Sequence, residues 1–504
     1  MPESYAQYVD KLQQVADLRY SAAVLQWDQE TYMPPRGEGA RARQLATLSE
    51  LAHERFTSPE MGRLLHALAA APGGALATRE SRNVALSLED FTREQKLPSD
   101  FVRNLSAATS AAFQAWIASR EANDFSVFAP HLDRLVALKR QEADYKGYEG
   151  HPYNALLNDY EKGATVTWLD GLFGALTAPL KALLEDIGRA PQVDSSALHG
   201  HFPKDRQWTW GLDLLQRMGL DKAAFRQDLS EHPFTTNFAS TDVRVTTRIS
   251  EADFTSMTWS CIHEGGHALY EQGLPADEYG LPLGEPCSLS IHESQSRLWE
   301  NNLGRSLPFW EGLWPVLQSY FPGTFGSVAA FYKGINRVEP SLIRTEADEL
   351  TYHFHILIRY ELEKALIGGS LSVRDIPEYW AASYHTYLGL KVPDDRRGCL
   401  QDVHWSHGSF GYFPTYTLGS LYAAQLFNAC AEAVPGLDAG IRSGDYHALL
   451  QWLREKIHRY GRFFDSNGLC REATGAGLDA EVFLRYARDK YAGIYGLASK
   501  LHQS

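Results

Sequence analysis

Along most of the chain, apolar side chains recur three and four residues apart, the spacing that lines one face of an α-helix. The pattern runs over 4–26, 40–72, 106–120, 129–145, 167–188, 352–366 and 446–461 and predicts helices there. Alternation with period two is scarce. Its best stretch is 241–249, TDVRVTTRI, where β-branched residues alternate with polar ones and a short strand is expected. Pro and Gly punctuate the chain at 34–39, 72–74, 189–203, 275–286 and 394–398, which read as loops. None has the composition of a domain linker, and the sequence carries no internal repeat or long low-complexity tract. The expectation is a single, mostly helical catalytic domain over 1–504 with helical subdomains.

Composition narrows the function classes. With 504 residues, 44% of them hydrophobic and 12% aromatic, the chain can bury a large core. A net charge of -14 argues against a nucleic-acid partner or an acidic membrane surface, since both require concentrated Lys and Arg. The five cysteines, at 261, 287, 399, 430 and 470, form no paired spacing and suit a reducing compartment. The first residues carry acids in place of the basic and apolar segments of a secretory signal. No apolar run reaches the roughly 18 residues of a membrane span. A cytoplasmic protein is expected.

The chemistry concentrates in MTWSCIHEGGHALYEQ, 257–272, a proline-free segment with a helical apolar stripe. His263 and His267, four apart, fall on one helix face and can hold one divalent metal, zinc by default. Glu264 can then act as general base on a metal-activated water that attacks a carbonyl. Gly265 and Gly266 each weaken the helix by about 1 kcal/mol relative to Ala, which points to something passing close to the backbone, and a tight helix crossing is one such thing.

A catalytic zinc needs a third protein ligand. SLSIHESQSRLWENNL, 288–303, reads as a second helix, and Glu293 lies twenty-six residues beyond His267, a remove that permits a helical hairpin to present it to the histidines. The alternative for Glu293 is a surface carboxylate paired with Arg297 at i+4. His292 is adjacent but elsewhere on the helix and is left out of the ligand set. A substrate's terminal carboxylate calls for Arg, and the candidates are Arg244, Arg297 and Arg344. Arg344, in SLIRTEADEL beside acidic residues, reads by itself first as a helix-surface ion pair, and Asp242, Arg244 and Thr246 read equally as a structural salt bridge on one strand face. The run GCLQDVHWSHGSFGYFPTYTLG, 398–419, is dense in His, Tyr and Gly. His404, His407, Tyr412 and Tyr416 could donate hydrogen bonds to the oxyanion of a tetrahedral intermediate, or simply form a buried aromatic loop.

These segments stand in a recognisable order with LQWDQETYMPPRG (25–37), HPF (232–234), D-x-R-x-T (242–246), IRTEAD, GxxQDxHW, WLREKIHRYGR and a C-terminal TG. Over essentially its whole length the chain resembles the carboxypeptidase Taq type of zinc metallocarboxypeptidase. The resemblance implies His263, His267 and Glu293 as ligands of one divalent ion per chain, zinc first and cobalt or manganese also compatible, with Glu264 as the catalytic carboxylate. It implies Arg344 as the partner of the substrate's terminal carboxylate. It gives Arg244 a part in closing the far end of the S1′ side, so that single residues are released. The 398–419 run also resembles the clan of thimet oligopeptidase and angiotensin-converting enzyme, where a His is followed five and nine residues on by Tyr. That spacing selects His407, Tyr412 and Tyr416, with His404 as the other histidine and either tyrosine as the oxyanion donor.

The clan resemblance further implies a mainly α fold, a large helical body split by a deep substrate groove with a small β-sheet beside the active site, and a homodimer. The implied activity is hydrolysis of the C-terminal peptide bond of peptides and unfolded chains, with broad specificity and proline disfavoured. An oligopeptidase on the same scaffold, or a helical binding protein with a vestigial site, are the alternatives. Every residue that the chemistry requires is nevertheless present.

Overall fold

The computed structural model describes residues 3–230 and 232–497. Helices dominate, as the periodicity predicts, and among the described residues there is one three-stranded sheet. The chain forms two compact units, each assembled from separate stretches. One comprises Met1–Gln95, Ser195–Ile335 and Tyr422–Leu478; the other comprises Lys96–Asp194, Asn336–Leu421 and Asp479–Ser504.

In the first unit, the helix Glu3–Thr31 packs on the helices that follow it through a core containing Tyr5, Tyr8, Leu12, Phe56, Met61, Leu65 and Phe91. The helix expected over 40–72 is in fact two, Glu38–Phe56 and Pro59–Ala69. Ser58 is extended and its Oγ accepts from Met61 N at 3.2 Å, while Pro59 occupies the first helical turn, where its missing N–H does no harm. The apolar stripe continues across this break, so periodicity alone does not register it. The segment 446–461 likewise ends its α-helix at Lys456 and continues as a 3₁₀ turn over His458–Tyr460.

The sheet also lies in this unit. It consists of β1 (Phe225–Leu229), β2 (Thr235–Ala239) and β3 (Asp242–Thr247), in the order β1-β3-β2, with β3 parallel to β1 and antiparallel to β2. β3 is the strand that alternation predicts, and Val243, Val245, Thr246 and Thr247 are its buried residues. FRQDL and TTNFA are short and mostly polar, and they carry no comparable signal. β2 and β3 pack on the helix Phe254–Gly273, whose start is capped by Asp253 Oδ1 accepting from Thr255 N at 2.8 Å.

Two other helices press on that helix at its glycines. A Cβ on Gly265 would sit 2.8 Å from Leu215 Cδ2 and 2.9 Å from Met218 Cε, in the helix Lys204–Met218. A Cβ on Gly266 would sit 2.7 Å from Gln295 O and from Ser296 Cα, in the helix Leu289–Arg297. What passes close to the backbone at both glycines is another helix.

The second unit has helices and loops and no strand among its described residues. The helix Tyr352–Gly368 is almost entirely buried, and Tyr360 stacks on Phe173 of the helix Val166–Arg189 with ring centroids 5.0 Å apart. Near its end, Glu363 is fully buried and accepts from Trp405 Nε1 at 2.9 Å, Gly411 N at 2.8 Å and the Tyr153 hydroxyl. Burial pushes its carboxyl up to about 7, against those donors. No helix among the described residues is long and apolar enough to cross a membrane.

The crossing at Gly266 sets a stability prediction with a built-in control. Gly266→Ala is expected to destabilise by about 1–3 kcal/mol, because the added methyl meets backbone that cannot rotate away. Gly171→Ala, on an exposed helical position with nothing within 4 Å of the new Cβ, is expected to stabilise by up to about 1 kcal/mol. Denaturant melts of both variants check the opposite signs.

Candidate functional site

The crossing of Phe254–Gly273 by Leu289–Arg297 assembles the site. The second helix starts at Ser288, whose Oγ accepts from Ile291 N at 3.1 Å, and carries Glu293 into contact with the first helix. Glu293 Oε2 lies 3.7 Å from His263 Nε2 and 3.4 Å from His267 Nε2. Among the described residues these three form the one group whose His and carboxylate donor atoms all fall within 4.8 Å of one another. Two imidazole nitrogens and a carboxylate oxygen are a donor set that suits a divalent cation.

Both readings of Glu293 hold at once. Only 5% exposed, it turns Oε2 to the histidines, while Oε1 accepts from Arg297 Nε at 2.7 Å. Burial opposes its charge, but Arg297 and His263 outweigh burial and hold the carboxyl well below the usual range. Arg297 Nη1 also donates to Glu300 Oε2 at 3.2 Å, and His263 Nδ1 meets the same oxygen at 2.8 Å. Glu293, Arg297 and Glu300 stand at i, i+4 and i+7, where the helix widens into a π-helical stretch over Leu298–Leu303. Burial lowers His263, but Glu293 and Glu300 prevail and raise it to about 9. A spot that favours a proton so strongly between nitrogen and oxygen donors favours a metal cation for the same electrostatic reason.

His292 lies outside the group of three donors, as the sequence reading has it, and contacts His267 from its own helix. Its Nδ1 lies 2.5 Å from His267 Nδ1, and its Nε2 lies 2.6 Å from Glu271 Oε1. Asn237 Nδ2 donates to Glu271 Oε2 at 2.7 Å. With His267 Nε2 facing Glu293, the proton assignment that uses every ring nitrogen has His267 Nδ1–H donating to His292 and His292 Nε2–H donating to Glu271. Burial and His292 lower His267 to about 3, so its imidazole is neutral. The histidine next to Glu293 in HES was the available signal. Helix spacing alone does not reveal that this face meets the same partner helix one turn further along, at His267 and Glu271.

Glu264 is 7% exposed, and Thr235 Oγ1 of β2 lies 2.7 Å from its Oε2. Burial raises the carboxyl, and His263 and Thr235 oppose the shift. Arg244, on β3, donates from Nε and Nη2 to the two oxygens of Asp242 at 2.6 and 3.1 Å, and its guanidinium lies over the rings of Trp27 and Phe238. The structural salt bridge anticipated for it is therefore present.

The remaining candidates lie in the second unit. Arg344 is 8% exposed, not on a helix surface, and donates from Nε to Asp402 Oδ1 at 2.8 Å and from Nη1 to Tyr352 Oη at 3.1 Å. Asp402 Oδ2 accepts from Arg359 Nε at 2.6 Å, and Gln401 Oε1 accepts from Arg344 N and Arg359 Nη2. The Gln-Asp pair of GxxQDxHW thus fastens two arginines. The Arg344 guanidinium lies 5.0 Å from the Tyr416 ring centroid, and His404 Nε2 is 3.0 Å from Tyr416 Oη. His404 also contacts the Tyr412 ring. Burial and Arg344 lower His404 to about 3, leaving it neutral. His407 is exposed and packs against Phe113, so the group drawn together is His404, Tyr412 and Tyr416.

Comparison with known proteins bears on the whole chain. The family described as Carboxypeptidase Taq (M32) metallopeptidase matches residues 7–491. Thermostable carboxypeptidase 1 of Thermus thermophilus is 40% identical, covering 98% of this chain and all of that protein. The crystal structure of an M32 carboxypeptidase from Deinococcus radiodurans superposes with a TM-score of 0.95 at 38% identity, covering 98% of this chain and 100% of that one. The solved structure of CHT superposes with a TM-score of 0.95 at 57% identity, over 97% and 99% of the two chains.

The chain of contacts behind His267 makes a measurable prediction. His292→Ala is expected to weaken divalent-metal affinity by about 10- to 100-fold while the fold persists. Competition against a chelating indicator dye, with circular dichroism alongside, checks it.

Proposed function

The chain belongs to the carboxypeptidase Taq (M32) metallopeptidase family, and on that premise we propose that His263, His267 and Glu293 hold its metal and that Glu264 is the general base. It is a metallocarboxypeptidase, a peptide hydrolase that depends on a divalent ion. The observation that carries the assignment of the site is the convergence of the three donor residues to within 4.8 Å, with Glu264 on the same helix beside them. Zinc is the ion we assign, from two imidazoles and one carboxylate; cobalt and manganese suit the same donors.

When bound, the ion supplies Lewis acidity at the reacting carbonyl. The protein's own residues do the rest. Glu264 takes the proton of the attacking water and returns it to the departing amine nitrogen. Arg297 and Glu300 hold Glu293 and His263 in place, and the His292–Glu271 pair holds His267. To Arg344 we assign the substrate's terminal carboxylate, a role favoured by a guanidinium already fixed by Asp402 and Tyr352. Arg244 would limit the S1′ side. Tyr416 or Tyr412 would donate to the oxyanion, with His404 supporting through its contact with Tyr416 and His407 the alternative histidine.

The substrates we propose are peptides and unfolded chains cleaved one C-terminal residue at a time, with broad preference and proline disfavoured. We also propose that residues 1–504 serve as one catalytic domain in a cytoplasmic homodimer.

A mass-spectrometric ladder from an unblocked peptide tests the reaction: successive single-residue losses are expected, and cleavage of a C-terminally amidated peptide overturns it. Glu264→Gln is expected to keep the metal and lose about 10²- to 10⁴-fold in turnover. Arg344→Ala is expected to raise KM for free-acid peptides, and a larger rise in Arg244→Ala would move the carboxylate clamp to Arg244.

A further inference from the structure

We propose that Thr235 is a positioning residue for the Glu264 carboxylate. This rests on Glu264 being the base. Thr235 opens β2, directly after the HPF segment, and its hydroxyl lies within reach of two oxygens of a single residue: Glu264 Oε2 at 2.7 Å and the Glu264 backbone carbonyl at 2.9 Å. The backbone presenting that hydroxyl is held firmly. Thr235 is registered opposite the fully buried Val245 of β3. One residue earlier, Phe234 N donates to Thr246 Oγ1 at 2.9 Å and Phe234 O accepts from Thr246 N at 2.9 Å.

The same strand repeats the device. Asn237, two residues on, donates to Glu271 Oε2, and Glu271 lies seven residues, about two helical turns, beyond Glu264. Alternate side chains of β2 therefore restrain two carboxylates on one face of the helix Phe254–Gly273.

The physical consequence concerns one oxygen. A glutamate side chain rotates about three torsions, and a base that swings away from the attacking water loses rate steeply. With Oε2 engaged by Thr235, Oε1 is the atom that receives the proton. The hydroxyl donates and does not compete for that proton. Once the carboxyl is protonated, the hydroxyl can turn to the neighbouring carbonyl at little cost, because its two acceptors are nearly equidistant. Thr235 thus holds the carboxylate in line while it waits for the proton and releases it afterwards, without joining the chemistry.

The test compares Thr235→Val, Thr235→Ser and Glu264→Gln in the full-length, metal-loaded enzyme. It measures kcat and KM on a free-acid peptide, metal Kd by indicator competition, and thermal melting. For Thr235→Val, kcat should fall about 10- to 100-fold, with KM and metal Kd within about threefold of the unaltered enzyme. Thr235→Ser, which keeps the hydroxyl, should recover most of the kcat with the same metal Kd. Thr235→Ala replaces the valine variant if that one melts early. A kcat within about twofold in the variant lacking the hydroxyl overturns the proposal, as does a loss that serine fails to restore or one matched by weaker metal binding. Those results leave Glu264 as the base provided Glu264→Gln is inactive, whereas an active Glu264→Gln removes the base assignment itself.

Discussion

The site depends on how closely two helix backbones can approach. The helix carrying Glu293 crosses the helix carrying His263 and His267 at Gly266, where a single added methyl would lie 2.7 Å from the opposing main chain. That proximity allows the short side chain of Glu293 to lie between two histidines one turn apart. Gly265 does the same on the adjoining face, where Leu215 and Met218 press in. The helix bearing the candidate ligands is thus clamped on two sides by helices and on a third by β2 and β3, and the candidate donors inherit that rigidity.

Charge is arranged around this crossing in pairs that share atoms. Glu293 divides its two oxygens between Arg297 and the histidines; Glu300 gathers Arg297 and His263; Glu271 ties His292 to Asn237. Each buried charge has a partner, which is what makes it tolerable away from water. In the second unit Asp402 does the same for Arg344 and Arg359. Because the partners are shared, removal of one changes what the others compensate, so these groups are expected to behave as sets in double-mutant experiments.

Much of this was legible in the sequence, and the gaps have physical reasons. Helical periodicity marked Glu3–Thr31, Ala129–Lys146, Val166–Arg189 and Tyr352–Gly368, though not Lys204–Met218 or Ala480–Tyr495, and four-residue spacing put His263 and His267 on one face. β3 was visible because Val243 and Val245 alternate with polar neighbours. β1 and β2 were not, since FRQDL and TTNFA have too few apolar positions to show a period and owe their structure to pairing with β3. The break at Ser58-Pro59 escaped because the apolar stripe resumes at once. The supporting groups Thr235, Asn237, Glu271, His292 and Glu300 come from separate elements, and only the packing of those elements reveals that they meet. Arg344 read as a surface ion pair from its acidic neighbours, yet its partner Asp402 lies fifty-eight residues away.

The interleaving of the two units bears on how the protein is made. Neither unit is a continuous piece of chain: the first takes its last stretch from Tyr422–Leu478 and the second from the residues that follow. The helix Ala480–Tyr495 packs on Val166–Arg189, a partner that leaves the ribosome far earlier. The part of Val166–Arg189 that meets Ala480–Tyr495 therefore stays uncovered until that helix has been made, although Tyr360 reaches Phe173 sooner. Contacts between segments so far apart in sequence make the closing of each unit a late step in folding.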